Sequence, residues 1–261
     1  MLVLALAMAL VGCSSGVTPT VVDGAPGIIA AEQPASPPTT RAPATTTTTT
    51  PEIPYQFHGQ LETSATMVTL LTENVDVFTS PGDEMPMMTQ SGSTWFGANQ
   101  VLTLVDEPVD GWAEVLLPSR PNSRTGWVMT DDLHFYVVGS RIVIDLGART
   151  LVYYVDGEEV LRAPVAIGSP RNPTPTGSFF VTDSIKVPRG AGPFGPYALA
   201  LSARSNTITE FNGGDGIIGI HGTNRPGLIG DAVSLGCIRL RNDVMTKLWE
   251  LVPIGTPVDI H

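Results

Sequence analysis

The chain has 261 residues, of which 42% are hydrophobic, and a formal net charge of -11 at pH 7. Its Lys and Arg residues form no long run, so the clustered cations that displace counterions from nucleic acid are missing, and we expect neither DNA nor RNA as a partner. The length suits about two folded units, because domains usually have about 100–150 residues.

The N-terminus begins with the uncharged apolar run Leu2–Val11. This run is too short for a membrane span of about 20 residues and is typical of the apolar part of a signal peptide, although no Lys or Arg precedes it. It ends in LVGC, which resembles a bacterial lipobox, in which Cys13 would become the lipid-modified first residue. The alternative is an ordinary signal peptide with a stray cysteine. We expect residues 1–13 to be a signal peptide with a lipobox, and the protein to be exported and lipid-anchored to the membrane.

The next segment, residues 14–54, is rich in Pro, Ala and Thr and ends in RAPATTTTTTPEIP. It has too few large apolar side chains to offset the entropy lost on ordering. The composition predicts a disordered tether, which would let a membrane-anchored protein reach into a surrounding cell wall.

Residues 55–134 contain short β-prone runs separated by turn residues. The layout of VDVFTSPG, VDGWAEVLLP and TGWVMTDDL resembles a bacterial SH3-like domain, which implies a small β-barrel that binds wall peptides or acts as a spacer. We expect Trp95, Trp112 and Trp127 to fill the barrel core rather than to contact a ligand.

Residues 135–261 have a stronger β pattern, and Asp156 and Gly157 between two apolar runs predict a type I′ hairpin turn. We expect a meander or a sandwich. The fold class predicted for the whole chain is mostly β, with a small SH3-like barrel followed by a β-sandwich-type domain.

One short helix is predicted late in the chain. Asn242 can act as its N-cap, Val244, Leu248 and Leu251 lie on one face, and Pro253 ends it. We expect this helix to pack against the sheet.

The stretch HGTNRPGLIGDAVSLGCIR, from His221 to Arg239, contains Cys237, the only cysteine besides Cys13. A thiol with a pKa of about 8.5 is only slightly ionised at neutral pH, so a nucleophile needs a base or a neighbouring cation, and His221 can supply either. The glycine-rich segment between the two residues predicts a loop that brings them together. The alternative is an inert, buried thiol, but a lone cysteine opposite a histidine in an exported protein favours catalysis.

The residues around Cys237 suit acyl transfer. Gly236 permits close backbone approach, and the amides of Leu235, Gly236 and Cys237 could converge on a developing oxyanion. Between His221 and the predicted helix, three arginines outnumber one aspartate, which suits a substrate that carries carboxylates. These residues are Arg225, Arg239, Arg241 and Asp231. The alternative, above all for Arg225 and Arg241, is that the arginines are solvated residues of a loop.

The motif HGT at 221–223, followed by SLGCIR at 234–239, resembles the signature of the L,D-transpeptidase catalytic domain, also called the YkuD family. The resemblance extends over residues 135–261 and includes RIVIDLGARTLVYYVDGEEV, PTPTGSFFV and GTPVDIH. It implies that Cys237 is the nucleophile, that His221 is the proton donor and acceptor, and that the Gly222 carbonyl orients the His221 ring.

The resemblance also implies supporting roles. Ser234, Leu235 and Gly236 would shape the oxyanion pocket, and Thr223 and Arg239 would contact the substrate. Many family members have a histidine at the position of Leu235, so any proton relay through that histidine is in doubt here.

The implied reaction joins peptidoglycan stem peptides. Cys237 would form a thioester with the diaminopimelate of a tetrapeptide stem, and an amine of a second stem would resolve it. With water as the acceptor the enzyme would be an L,D-carboxypeptidase. A papain-like peptidase is disfavoured, because in that class the cysteine precedes the histidine, whereas here His221 precedes Cys237. An inactive protein that binds the cell wall is the remaining alternative.

The resemblance further implies that carbapenem-type β-lactams acylate Cys237. No cofactor is expected. His58, His134 and His261 lie far apart in the sequence, in a pattern unlike that of a zinc site, so no metal is expected either.

Overall fold

The computed structural model describes residues 29–30, 65–188 and 192–261. The predicted signal peptide with Cys13 lies outside these residues, as does most of the predicted tether. Within the tether segment the structure has a two-residue strand, β1 (Ile29–Ala30), which pairs antiparallel with Ile185 and Lys186. Among the described residues, no helix is both long and apolar enough to cross a membrane.

The first unit is built from short antiparallel strands. Its elements are β2 (Ala65–Leu70), β3 (Asn74–Val77), β4 (Met88–Ser91), β5 (Val101–Leu104), β6 (Trp112–Leu116), β7 (Thr125–Met129), a 3-10 helix (Thr130–Asp132) and β8 (Leu133–Val138). Five strands form a sheet in the order β7-β6-β5-β2-β8, and β3 and β4 form a separate hairpin. The predicted boundary between residues 134 and 135 falls inside β8, which pairs with β2 as far as Val138, so the first sheet continues to that residue. Its SH3-like identity stays a prediction.

The core of the first unit consists mainly of aliphatic side chains with Met67. Trp95 is 65% exposed, so the prediction that it fills the core is wrong. Trp112 and Trp127 are half-buried, because in β6 and β7 they alternate with the buried residues Ala113 and Val128 and face the other side of the sheet.

The second unit contains most of the remaining strands and the late helix. Its elements are β9 (Ser140–Asp145), β10 (Thr150–Val155), β11 (Glu158–Pro164), β12 (Ile167–Gly168), β13 (Gly177–Lys186), β14 (Tyr197–Arg204), β15 (Ile217–His221), a 3-10 helix (Pro226–Leu228), β16 (Ala232–Ser234), β17 (Ile238–Arg239), α1 (Asn242–Leu251) and β18 (Pro257–Ile260). The predicted mostly β fold with one late helix is confirmed.

A single curled sheet dominates this unit, with its strands in the order β11-β10-β9-β18-β13-β14-β15-β17. The long strand β13 joins the two halves, since residues 177–180 pair with β18 and residues 181–186 pair with β14. The predicted turn between β10 and β11 is confirmed: Asp156 and Gly157 have φ values of 48° and 86°, as a type I′ turn requires.

The helix α1 starts differently from the prediction. Arg241 occupies the N-cap position and Asn242 is the first helical residue, with no side-chain capping bond. Met245 and Leu248 are the buried residues of the helix, whereas Leu251 is 49% exposed. The side chain of Asn242 is therefore available for a contact outside its own helix.

The two units pack against each other. Phe180 of β13 is fully buried and belongs to the core of the first unit. Asn122 of the first unit exchanges two hydrogen bonds of 2.8 Å with the backbone N–H and carbonyl of Arg204. Arg120 forms an ion pair with Asp215.

Candidate active site

Two neighbouring strands bring the predicted nucleophile and base to one face of the sheet. The strands β15 and β17 run parallel, with Ile220 opposite Ile238 and His221 opposite Arg239. Ile220 and Ile238 are fully buried in the core. Because successive side chains of a strand point to opposite faces, His221 and Arg239 point away from that core. Cys237, directly before β17, lies two positions from Arg239 and shares its face.

The segment between His221 and Cys237 is the crossover that parallel neighbours require. It contains the 3-10 helix Pro226–Leu228 and the strand β16, which pairs with β12. The Ser169 amide donates to the Ser234 carbonyl at 2.9 Å and holds the end of this crossover against the unit. The fold thus places His221 at the end of β15 and Cys237 directly before the neighbouring strand β17.

The imidazole of His221 is buried and held by the backbone of the next residue. Its Nδ1 donates a hydrogen bond to the Gly222 carbonyl oxygen at 2.6 Å, since a carbonyl can only accept. In the neutral ring Nε2 then carries no hydrogen and can accept a proton. Phe194 packs edge-on against the ring, with centroids 5.0 Å apart. The hydrogen bond and the packing of Phe194 hold the ring in one orientation, in which Nε2 is free to act as a base.

Burial lowers the pKa of His221 from 6.5 to about 4. The hydrogen bond to Gly222 opposes this shift, and the positive charge of Arg239 adds to it. The ring is therefore neutral at pH 7. The sequence leaves two roles open for His221: a base that accepts the thiol proton, or a cation that stabilises a thiolate. A neutral ring fits the first role.

Cys237 is half-buried. Burial raises the pKa of its thiol, whereas a hydrogen bond from the Gly219 backbone and the charge of Arg239 lower it. The resting site at neutral pH therefore holds a protonated thiol and a neutral imidazole. Such a pair reacts when the base accepts the proton during the attack.

Of the three arginines between His221 and α1, Arg239 is the one on the same face of the sheet as His221. Its Nε is buried without a hydrogen-bond partner, and no ion pair of its guanidinium is found among residues 65–188 and 192–261. Arg225 is exposed, and Arg241 pairs with Asp243 at 3.4 Å. An unpaired guanidinium beside the thiol can bind a carboxylate.

The turn before Cys237 is fixed by hydrogen bonds at both ends of Gly236. Gly236 has a φ of 118°, and a Cβ there would lie 2.9 Å from Cδ1 of Ile218. Thr174 Oγ1 donates to the Gly236 carbonyl at 2.8 Å. Ser234 Oγ accepts from the Gly236 amide at 3.1 Å and donates to the Cys237 carbonyl at 2.6 Å. The turn therefore leaves Cys237 little positional freedom.

These bonds change the prediction for the oxyanion pocket. The Gly236 amide already donates to Ser234, so it is not available to an oxyanion. The amides of Leu235 and Cys237 remain as candidate donors. Ser234 braces the turn. Leu235, directly before Gly236, is 49% exposed.

Thr223, expected to contact the substrate, is 3% exposed. Its Oγ1 accepts a hydrogen bond from the Arg225 amide at 3.0 Å, and its own amide donates to Asn242 Oδ1 at 2.8 Å. These contacts hold the loop after His221 and bury the side chain, so a direct contact of Thr223 with substrate is not supported.

Three residues near the site were not predicted: Thr174, Phe194 and Asn242. Thr174 lies in the PTPTG segment, to which the sequence points only through the family resemblance. For Asn242 the sequence predicts a helix cap, because asparagine is common at that position. Their contacts with residues 221–237 cross between separate elements, and no local sequence signal reveals them.

The other histidines lie away from this site. His134 is exposed on β8, His261 is exposed at the end of the chain, and His58 is outside the described residues. In the described part of the chain, no group of three or more His, Cys, Asp or Glu side chains could hold a metal ion.

Comparisons with known proteins identify the family of the second unit. Residues 139–260 match the family model of the L,D-transpeptidase catalytic domain, YkuD. The YkuD protein of Bacillus subtilis (strain 168) is 37% identical over 126 residues, which are 48% of this chain and 68% of that protein. The YkuD protein of Bacillus licheniformis is 40% identical over 120 residues, 46% of this chain and 64% of that protein. The names of both proteins assign them to the L,D-transpeptidases.

A solved L,D-transpeptidase from Mycobacterium smegmatis has 21% identity and a TM-score of 0.39, over 63% of this chain and 91% of that chain. The match to the family model, residues 139–260, lies in the second unit, the part of the chain that holds His221 and Cys237. The chain therefore belongs to the L,D-transpeptidase family.

Proposed function

We propose that the protein is a peptidoglycan L,D-transpeptidase that joins two stem peptides through their diaminopimelate residues. The observation that carries this proposal is the parallel pair β15–β17, which holds a neutral His221 on the same face as the Cys237 thiol. Membership of the L,D-transpeptidase family supplies the reaction class.

The proposed reaction has two steps. His221 Nε2 accepts the thiol proton as Cys237 Sγ attacks the diaminopimelate carbonyl carbon of a tetrapeptide stem. The bond to the terminal D-alanine breaks, its amine takes the proton from His221, and a thioester remains. The side-chain amine of a second stem then attacks the thioester and passes a proton to His221, which returns it to the departing Cys237. The product is an amide between two diaminopimelate residues.

Two features of the site suit this chemistry. The amides of Leu235 and Cys237 are proposed to stabilise the oxyanion of each tetrahedral intermediate. The unpaired guanidinium of Arg239 is proposed to bind a stem-peptide carboxylate, because it is a cation without a partner in the described structure.

The product assay tests the proposal. The full chain with Cys13→Ser, in which Cys237 is the only thiol, is incubated with a diaminopimelate tetrapeptide, and the products are identified by mass spectrometry. A dimer that lacks one alanine and is absent with Cys237→Ala supports the transpeptidase. Tripeptide alone indicates an L,D-carboxypeptidase. Unchanged substrate, together with peptidoglycan binding that persists in Cys237→Ala, indicates a wall-binding protein.

We predict that a carbapenem acylates Cys237, because its strained β-lactam carbonyl imitates the acyl donor. The intact mass of the Cys13→Ser chain should increase by one carbapenem. The Cys237→Ala chain is the control. An adduct that persists in this control, or no adduct on either chain, would contradict the prediction.

The location of the enzyme is also a proposal. We propose that Cys13 is lipidated and anchors the chain to the membrane. Fractionation of cells expressing the wild-type chain or Cys13→Ser tests the anchor. The wild-type chain should sediment with membranes and the variant should not, whereas identical fractions would refute lipidation.

A further inference from the structure

We infer that Asn242 is a positioning residue that holds His221 in its reactive tautomer through the peptide group between Gly222 and Thr223. This inference rests on the proposed function of the His221 and Cys237 pair. Asn242 touches neither the thiol nor the imidazole, and its effect is transmitted through that peptide group.

One peptide group links the two side chains. Its carbonyl, from Gly222, accepts the hydrogen bond of His221 Nδ1 at 2.6 Å. Its N–H, from Thr223, donates to Asn242 Oδ1 at 2.8 Å. Bonds in such a chain polarise each other, so the acceptor on the N–H strengthens the carbonyl as an acceptor for the imidazole.

The amide oxygen of Asn242 is tightly enclosed by two glycine backbones. A Cβ on Gly222 would lie 2.3 Å from Asn242 Oδ1, and a Cβ on Gly195 would lie 2.4 Å from the same atom. The same Cβ on Gly195 would lie 2.6 Å from the Gly222 Cα. Both glycines are therefore required for the amide to reach the peptide group.

The side chain of Asn242 makes this contact in place of a helix cap. It belongs to the first residue of α1, and the residue at the N-cap, Arg241, has no side-chain capping bond. In addition, the Leu240 amide donates to the His221 carbonyl at 2.9 Å. The segment that follows Cys237 thus holds His221 on both sides and couples the position of the base to that of the nucleophile.

Loss of the acceptor should reduce the reactivity of Cys237. Without Asn242 Oδ1, the peptide group between Gly222 and Thr223 can rotate, and His221 Nδ1 loses its fixed acceptor. The imidazole can then rotate, and Nε2 is no longer held in one position. Misplacement of a reacting group costs rate even when the group is still present.

The test measures Cys237 acylation by a carbapenem and alkylation by iodoacetamide, from pH 5 to 9, in the full chain with Cys13→Ser. We expect Asn242→Ala to slow both reactions about tenfold or more. Asn242→Asp keeps the acceptor, so its rates should stay within about threefold of the parent chain, with the His221 limb of the pH profile moved to higher pH by the added negative charge.

The matched control is Thr246→Ala. Thr246 Oγ1 donates to the Asn242 carbonyl at 2.8 Å, so this variant perturbs the same helix start and leaves the amide side chain in place. Its rates should equal those of the parent chain. Parent rates and an unchanged pH profile in Asn242→Ala would overturn the inference.

Two further measurements apply if circular dichroism shows that Asn242→Ala is unfolded. Nitrogen-15 NMR of the parent chain should show His221 with its proton on Nδ1, and Asn242→Asp should keep its rate. A proton on Nε2, or a slow Asp variant, would overturn the inference. Failure of the proposed function would look different, since the parent chain would then form no carbapenem adduct or would react no faster than His221→Ala.

Discussion

At the scale of single residues, the candidate site holds two neutral groups. Burial lowers the pKa of His221 to about 4 and raises the pKa of the Cys237 thiol, so neither group is ionised at neutral pH. The Gly222 carbonyl determines which imidazole nitrogen carries the hydrogen. In the proposed reaction, His221 therefore accepts the proton of a thiol, and no thiolate is present beforehand.

The lowered pKa of His221 makes stability depend on pH. The pKa is about 4 in the folded chain and near the ordinary 6.5 in the unfolded chain, so between these values the unfolded chain binds more protons. Stability therefore falls as the pH falls through this range. From pH 7 to pH 5 the contribution of this residue is a loss of about 2 kcal/mol.

We predict that His221→Gln, which has no titrating ring, loses about 2 kcal/mol less unfolding free energy than wild type between pH 7 and pH 5. Urea denaturation at both pH values measures this difference. Equal losses in the two proteins would show that the ring is not kept neutral by burial.

Residue types at the site could be predicted better than their contacts. His221, Gly222 and Cys237 stand in a compact motif whose chemistry follows from residue type and order. The partner of the Gly236 carbonyl, Thr174, lies 62 positions away, and the partner of the Thr223 amide, Asn242, lies 19 positions away on a helix. Such contacts depend on how elements pack, which local sequence does not determine.

At the scale of elements, the turn before β17 positions Cys237, the proposed nucleophile. Gly236 has a positive φ, and the side chains of Thr174 and Ser234 hydrogen-bond the backbone of Gly236 and Cys237. Together these restraints leave one conformation for the backbone at Cys237. The turn between β10 and β11 could be predicted from Asp156 and Gly157 alone, because both residues have the φ that this turn type needs. The start of α1 could not, because tertiary contacts of Asn242 replace the local cap.

We predict that Gly236→Ala destabilises the protein by about 1–3 kcal/mol, because the added Cβ meets Ile218 at a φ that disfavours side chains. Acylation of Cys237 should also slow about tenfold or more. Denaturation curves and carbapenem acylation rates measure the two effects.

The matched control is Gly227→Ala. A Cβ on Gly227 would have no atom within 4 Å, and its φ is not positive, so its stability should change by less than about 0.5 kcal/mol. Equal effects of the two variants would contradict the role given to the turn.

At the scale of the whole molecule, the two units share a core. Phe180 extends from β13 into the cluster that contains Met67 and Val68, and Asn122 hydrogen-bonds the backbone of Arg204. The sequence predicts two separate domains, because residues 55–134 have short β-prone runs between turn residues and residues 135–261 have a stronger β pattern. The shared core includes Phe180, an aromatic side chain whose direction the composition does not reveal.

We predict that Phe180→Ala lowers the free energy of unfolding by about 3–5 kcal/mol, since it empties a fully buried aromatic site. Both units should then unfold in one transition at lower denaturant. Phe211→Ala is the control, because Phe211 is 43% exposed, and its effect should be small. Two separate transitions, with the second unit unaffected, would contradict the shared core.

The most direct measurement concerns the thioester on Cys237. The Cys13→Ser chain is mixed with a diaminopimelate tetrapeptide and quenched in acid, and intact mass and peptide mapping locate any adduct. We predict a tripeptide acyl group on Cys237, absent in Cys237→Ala and strongly reduced in His221→Ala. Consumption of the tetrapeptide without an adduct on Cys237, or at an equal rate in Cys237→Ala, would contradict the proposed chemistry.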